Sequence, residues 1–411
     1  MPKSVARKKT RAEPAARRSA FARADRLNVL PPYLFAAIDR KKRELREKGV
    51  DLIDLGIGDP DIPTAPHIVE ALKVAAGRPE NHRYPAYEGM LSFRAAAASW
   101  FKKRFGVDLD PKTEVLSLIG SKEGIGHMVL AFCNPGDVVL ATEPGYPVYK
   151  IGTIFSGGRM YELPILEENS FLPDLSHIPA GVLRKAKLLF INYPNNPTGA
   201  VAPIEFFEEA VAFSRKHRII LCHDAAYTEV VFDGYRSPSA LQVPGAKDVT
   251  IEFHSLSKTY CMTGWRIGFA VGHPDLVAGL GAIKTNLDSG VFQAVQEAGI
   301  AALTGDQSHT AKNNERVGRR RDLLVQALRS AGWRIDPPRA TYYLWVRVPG
   351  RMSSADCVDR LMSEAGVVCT PGNGFGPSGE GFVRFSLTAP DDRIAEAARR
   401  LSKIRIAGPA K

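Results

Sequence analysis

The sequence predicts an α/β protein in two parts: a large domain with a mostly parallel sheet covered by helices, and a smaller α+β domain. Three observations predict it. Between Glu114 and Val271 short apolar runs alternate with helical stretches, the pattern of a parallel sheet buried on both faces. After Phe269 the pattern turns helical and then mixes strands with helices, as a separate α+β unit does. A chain of 411 residues is too long for one compact core. The expected divisions are a disordered basic tail over 1–26, an arm and part of the small domain over 27–65, the large domain over 66–300, and the rest of the small domain over 301–411.

The elements follow in order. Leu30 to Phe35, with Pro31 and Pro32, reads as an extended arm leading into a charged helix from about Ala36 to Lys48. Val50 to Leu55 is a short strand closed by Gly56-Ile57-Gly58-Asp59-Pro60-Asp61, where glycine admits either a tight turn or close backbone approach to a ligand. Pro66 opens a helix to Ala76, and Arg83 to Gly89 is a loop before a long helix through Phe105. Strands are expected at Glu114–Leu118, Val138–Ala141, Lys187–Asn192, Ile219–His223, Val249–Phe253 and Ile267–Val271. Between them come helices through Phe132, over Tyr146–Phe155 and over Pro203–Lys216. Pro274–Leu303 and about Ala311–Ala331 read as long amphipathic segments with few breakers. The last part gives strands at Tyr342–Val348 and Phe382–Leu387 and helices at Ser354–Ala365 and Asp391–Lys403. Pro371 to Gly381 reads as a loop rich enough in glycine to be mobile.

Composition excludes several classes. No apolar run reaches the ~18–20 residues of a membrane span. The five cysteines are odd in number and form no C-x-x-C pair, so neither a disulfide framework nor a metal site is signalled, and a reducing, cytoplasmic setting is expected. The net charge of +11 is concentrated at one end: residues 1–26 carry nine Lys/Arg against two acids, so the body is only mildly basic. The tail lacks an apolar h-region and is no secretory signal. A disordered solvated tail is the expectation, with an organelle-targeting segment or a weak polyanion binder as the other readings.

Most of the residues that can carry chemistry sit at strand ends. Lys258 lies in Ser255-Leu256-Ser257-Lys258, among small and apolar residues, with Arg266 eight positions on. An amine there loses solvation and meets a second cation, and both lower its pKa toward that of a nucleophile. Gly120-Ser121-Lys122 follows a strand and opens a helix, which is either an anion site or a simple N-cap by Ser121. Asn192 to Gly199, with two prolines and paired asparagines, is a rigid loop at a strand's C-terminal end, where open α/β sheets place ligands. Asp224 leaves an apolar strand, which is costly unless it meets a cation or donors; it serves a ligand or a cap, and Tyr227 lies one helical turn on. Tyr146 follows Glu143-Pro144-Gly145 and either stacks on a planar ligand or packs. Arg384, inside an apolar strand, either points inward to a carboxylate or lies on the surface, and Arg347 competes with it.

Taken in chain order, G-S-K, a strand-end aromatic, N-N-P-T-G, D-x-x-Y, S-x-S-K with Arg266 and a late strand arginine resemble the class I/II aminotransferases of the pyridoxal-phosphate fold type I superfamily. The resemblance covers about residues 27–405. R-Y-P-A-Y-E-G, G-S-K-E-G-I, N-Y-P-N-N-P-T-G, H-S-L-S-K-T-Y-C-M-T-G-W-R and the glycine-rich 371–381 look like the bacterial LL-diaminopimelate aminotransferase subfamily. The resemblance implies a seven-stranded, mostly parallel central sheet and pyridoxal 5′-phosphate as cofactor. It implies that Lys258 binds the cofactor covalently and then moves a proton between substrate Cα and cofactor C4′. Asp224 would pair with the ring nitrogen, Asn196 and Tyr227 would bond the ring 3′-oxygen, and Tyr146 would stack on the ring. Ser121, Lys122, Ser255, Ser257 and Arg266 would hold the phosphate, which recasts Arg266 from a pKa-lowering neighbour to a clamp. Tyr84 would reach the phosphate of a second subunit, so an active homodimer is implied. Arg384, with Asn196 and Gly58 beside it, would bind the substrate α-carboxylate. No motif identifies the residues that read the far end of the substrate; Glu88, Lys122, Lys284 and Asn286 are the options.

The expected activity is ping-pong transamination of LL-diaminopimelate with 2-oxoglutarate, in lysine biosynthesis, with small amino and 2-oxo acids as the only partners besides a second copy. An aspartate- or alanine-type aminotransferase and a carbon–sulfur β-lyase are the rivals on the same scaffold. A ligand-sensing regulator would need an added DNA-binding domain, for which a 26-residue tail is too short.

Overall fold

The computed structural model describes residues 21–30 and 35–404. Most of the basic tail, and residues 31–34 of the expected arm, lie outside them. The strands are β1 (Ile53–Asp54), β2 (Val115–Leu118), β3 (Val138–Glu143), β4 (Arg159–Pro164), β5 (Ala186–Asn192), β6 (Ile220–Asp224), β7 (Thr250–Ser255), β8 (Gly268–Gly272), β9 (Tyr343–Arg347), β10 (Val367–Val368), β11 (Thr370–Pro371) and β12 (Phe382–Ser386).

Seven of these form the central sheet in the order β2-β8-β7-β6-β5-β3-β4. Only β8 runs antiparallel to its neighbours. β2, β3, β7 and β8 are buried along their whole length, and β5 and β6 nearly so, which is why they read as continuous apolar runs. One apolar cluster covers one face of the sheet, with Phe93, Phe101, Phe207 and Tyr193. Another covers the other face, with Ile125, Met128, Tyr149 and Phe190. A separate core joins Ile53 and Leu55 to Leu324, Leu328, Val346, Leu361, Phe385 and Ile394, around the three-stranded sheet β11-β12-β9 and the pair β1-β10. The early segment at Leu55 thus packs on residues more than 250 positions later.

Four expectations need correction. Strand β4 is not among the expected strands, because this half-buried edge strand is broken by Arg159 and Glu162 and lacks the apolar run of its neighbours. The stretch expected as a strand over Val50–Leu55 pairs only at Ile53 and Asp54. The expected single helical segment 274–303 is two helices, Pro274–Leu287 and Gln293–Thr304. It breaks because Asp288 turns its carboxylate back to Lys284 and onto the Gly290 N–H, and Gly290 takes φ +81°. The glycine-rich 371–381 is not a free loop. It forms β11 and two 3₁₀ turns, with Ser378 bonded through its N–H and hydroxyl to the Glu143 carboxylate at 2.8 and 3.0 Å. A side chain at Gly372 would meet the Gly379 carbonyl, and one at Gly376 the Glu143 carboxylate, so these glycines serve close packing.

Candidate active site

The C-terminal ends of β3, β5, β6 and β7 point to one side of the sheet, and Asp224, Asn196, Lys258 and Arg384 gather there. At the end of β6 Asp224 is buried, and it has no ion-pair partner among the described residues. Its Oδ2 accepts the Tyr149 hydroxyl at 2.8 Å and its Oδ1 the Ala226 N–H at 3.3 Å. Burial pushes its pKa up, against the pull of those hydrogen bonds and of His223 and His254. A cation set against the carboxylate would reverse that direction. Tyr146 stands edge-on to Tyr149, with ring centroids 6.2 Å apart, and burial and the Asp224 charge push its hydroxyl up to about 12.

The β5 loop is held by its asparagines. Asn192 Nδ2 donates to the Asp224 carbonyl at 2.7 Å, and Asn192 Oδ1 accepts the Asn196 N–H at 2.8 Å. Asn196 Oδ1 then accepts from Arg384 Nη1 at 2.8 Å. Arg384 does point inward. It is buried, its Nη2 donates to the Gly56 carbonyl at 2.8 Å, and its guanidinium lies between the Tyr343 and Phe375 rings at 4.1 and 4.6 Å. Its Nε has no hydrogen-bond partner. Arg347, its competitor, is exposed on the same strand pair and bonds Glu167 instead.

The segment Leu55–Gly58 runs as a strap along this side, with each carbonyl taken. Leu55 accepts from Ser386 N–H, Gly56 from Thr370 and Arg384, Ile57 from Thr388, and Gly58 from Lys258 Nζ at 2.9 Å. Gly58 must be glycine, since a Cβ there would strike the Tyr343 hydroxyl. That hydroxyl lies 2.9 Å from the Tyr227 hydroxyl. Lys258, Gly58, Tyr343, Tyr227, Arg384 and Asn196 thus form a continuous chain of contacts.

A cradle lies beside them. The helix Ser121–Phe132 starts after Gly120, at φ +74°, with no side chain capping it. A Cβ on Gly120 would strike the Arg266 guanidinium, so the backbone here passes directly against that cation. Arg266 is itself held by Thr263 and Ile119 carbonyls at 2.9 and 3.4 Å. The Ser255 hydroxyl accepts the Ser257 N–H and caps the short helical turn that carries Lys258. Lys122 is exposed.

Three of these observations fit pyridoxal phosphate: a buried carboxylate without a cation for the ring nitrogen, a guanidinium at an uncapped helix N-terminus for the phosphate, and an amine within the same cluster. Tyr84 is not brought to this cluster. It is 85% exposed on the loop before the helix Leu91–Phe105. Lys284 is removed from the substrate options: it is fully buried, and its amine is shared by Glu123 and Asp288 at 3.1–3.2 Å. Asn286 is turned to its own helix, bonding the Ala282 carbonyl. Sequence reasoning missed Tyr149 and Tyr343. Tyr149 has a signal, the third position after Tyr146 on a helix; Tyr343 has none beyond its place in an apolar strand.

Known proteins share this chain's family and fold. The family model "Aminotransferase class I and II" matches residues 50–401. An LL-diaminopimelate aminotransferase of Nitratidesulfovibrio vulgaris is 57% identical over 387 residues, spanning 94% of this chain and 100% of that protein. The substrate-bound BacF structure from Bacillus subtilis superimposes with a TM-score of 0.90 at 36% identity, covering 95% of this chain and 99% of that one. A probable N-succinyldiaminopimelate aminotransferase from Thermus thermophilus does so with a TM-score of 0.85 at 40% identity, covering 90% and 100%.

Proposed function

The chain belongs to the class I and II aminotransferases, and from that premise we propose that it transfers the amino group of LL-2,6-diaminopimelate to 2-oxoglutarate, in lysine biosynthesis. The product pair is tetrahydrodipicolinate and glutamate. The enzyme is a pyridoxal-phosphate-dependent aminotransferase. The substrate reading rests on relatives 54–57% identical over 92–94% of the chain that bear the name LL-diaminopimelate aminotransferase. The reaction reading is carried by one observation, the convergence of the Lys258 amine, the buried Asp224 and the inward Arg384 on one side of the sheet.

When bound, the cofactor supplies an electron sink and a carrier for the amino group. Asp224, oriented by Tyr149, would hold the ring-nitrogen proton. Tyr146 would cover the ring, and Asn196 and Tyr227 would bond its 3′-oxygen. Ser121, Lys122, Ser255, Ser257 and Arg266 would hold the phosphate through N–H, O–H and guanidinium donors. Arg384 presents a planar fork already fixed between two rings, so it binds a carboxylate without losing rotamer freedom. Lys258 Nζ, beside the Gly58 carbonyl, takes and returns the substrate Cα proton.

The protein works as a cytoplasmic homodimer in this reading. Five unpaired cysteines support the compartment. The exposed Tyr84, Tyr87, Leu91, Leu287 and Phe292 support the dimer. Gly290 packs on the carbonyls of Ala86 and Tyr87, so the loop that bears Tyr84 and Tyr87 adjoins the one before Phe292. We also infer that the two clusters on the central sheet mark the large domain and the separate core the small one.

The test is an amino-donor panel with 2-oxoglutarate as acceptor. Purified protein is expected to be yellow, with Lys258→Ala abolishing turnover. Turnover of LL-diaminopimelate should exceed that of aspartate and alanine; the reverse order discards the substrate reading. Pyruvate release from a β-thioether amino acid would favour a lyase.

A further inference from the structure

A buried ionic group lies across the sheet from the site, and none of the roles above uses it. His223 and Glu252 are partners on adjacent strands β6 and β7, and neither side chain is exposed at all. Strand alternation sends His223 to the opposite face from Asp224, where its ring meets Phe207 with centroids 4.9 Å apart. His223 Nδ1 lies 3.0 Å from Glu252 Oε2, and Nε2 lies 2.9 Å from the Tyr193 carbonyl oxygen.

Both of those partners are acceptors. A peptide carbonyl has no proton to give. Glu252 Oε2 receives the Ala240 N–H at 3.1 Å and the Ser239 hydroxyl at 2.8 Å, and Ser239 Oγ already accepts the Leu241 N–H. Three donors can then converge on Oε2 only as a carboxylate oxygen. Against the upward push of burial, His223 and His254 hold the Glu252 carboxyl well below the usual carboxylate range, so His223 donates from both ring nitrogens. A neutral imidazole would leave one acceptor bare where water does not reach.

We propose that His223 is a positioning residue held permanently as an imidazolium, which clamps the Tyr193 carbonyl and so sets Asn196 relative to Asp224. The inference rests on the roles given above to Asn196 and Asp224. The link is short. Asn196 follows Tyr193 by three residues, and its N–H is tied to Asn192, which is tied to the Asp224 carbonyl. Two successive residues of β6 thereby fasten the same loop, one by its ring and one by its backbone. The loop's far end meets Arg384.

The groups facing His223 are Glu252 from β7, His254 beyond it at 2.7 Å from Glu252 Oε1, the Tyr193 backbone after β5, and Phe207; the Asp224 charge acts on it from the opposite face, next along its own strand. Burial pulls the ring's pKa down, and the Glu252 charge and the two hydrogen bonds more than reverse it, so it stands raised. A raised value means that the bound proton stabilises the fold below the unfolded pKa, and that this is lost only as pH rises through the folded one.

The experiment uses full-length holoenzyme with ¹⁵N-labelled histidine, the His223 signals being assigned by their loss in His223→Gln. Both ring nitrogens are expected at the protonated shift and to stay there from about pH 6 to about pH 9. A bare ring nitrogen at neutral pH overturns the proposal. In Glu252→Gln the ring should become titratable, and KM for the amino acid should rise about tenfold as it loses its proton, with cofactor absorbance retained. A ring that deprotonates while KM stays flat overturns the positioning role. If Glu252→Gln does not fold, His223→Gln carries the same readout: a KM raised about tenfold supports the role and an unchanged KM overturns it. Wild-type protein that takes up no cofactor would instead reject the aminotransferase reading, which the nitrogen shifts do not depend on.

Discussion

Arg384 shows how one residue's surroundings decide its use. Its fork is fixed by Asn196, the Gly56 carbonyl and two aromatic faces. Arg384→Lys replaces the planar fork with a point charge that cannot make both bonds. KM for amino and oxo acid should rise about tenfold or more while cofactor absorbance is retained; initial-rate kinetics on both substrates read this. Tyr149→Phe removes one of two donors to a buried carboxylate. Losing such a bond costs about 1–3 kcal/mol, so the cofactor should bind about tenfold more weakly, as read by spectrophotometric titration of the apoenzyme. Lys258, Asp224 and Arg384 were legible in the sequence because a charged residue in an apolar run is anomalous. Tyr149 and Tyr343 were not, because a buried tyrosine in an apolar element is ordinary.

Among the elements, the helix Ser121–Phe132 depends on its neighbour Pro274–Leu287. Glu123 Oε2 accepts the Ile119 N–H at 3.0 Å and the Lys284 amine at 3.2 Å. Asp288 on the other side of that amine ends the helix and caps Gly290. Lys284→Met would take the lysine cation from two largely buried carboxylates and leave them His127 alone, 2.6 Å from Glu123 Oε1; removing one partner of such a buried group costs about 3–5 kcal/mol. The midpoint of urea unfolding should fall accordingly. The same change should loosen Arg266 through the Ile119 carbonyl. Gly58→Ala tests the strap: its Cβ would drive the Tyr343 hydroxyl from Tyr227, and turnover should collapse while the circular dichroism spectrum is kept. The strap's hydrogen bonds join residues 55–57 to residues 370–388, a separation that no local pattern reports.

At the scale of the whole molecule, the site as one chain builds it has no place for Tyr84, which faces outward beside other exposed apolar side chains. A hybrid dimer tests its proposed reach. Mixing and reassociating Lys258→Ala with Tyr84→Ala subunits produces one site with both residues intact in each mixed dimer. Recovery of about a quarter of wild-type activity is expected from random pairing. No recovery from two separately inactive variants would show that Tyr84 acts within its own subunit.

The sequence by itself determined the alternation of buried strands and helices, the strand-end positions of Lys258, Asp224 and Asn196, the place of Arg384 within a strand, and the family. These follow from local order: apolar period, turn chemistry and motif spacing. It did not determine the break at Asp288, the pinning of 371–381 on Glu143 or the double donation by His223. Each depends on what lies opposite a residue from a distant stretch, and only the folded chain brings those partners within a hydrogen bond of one another.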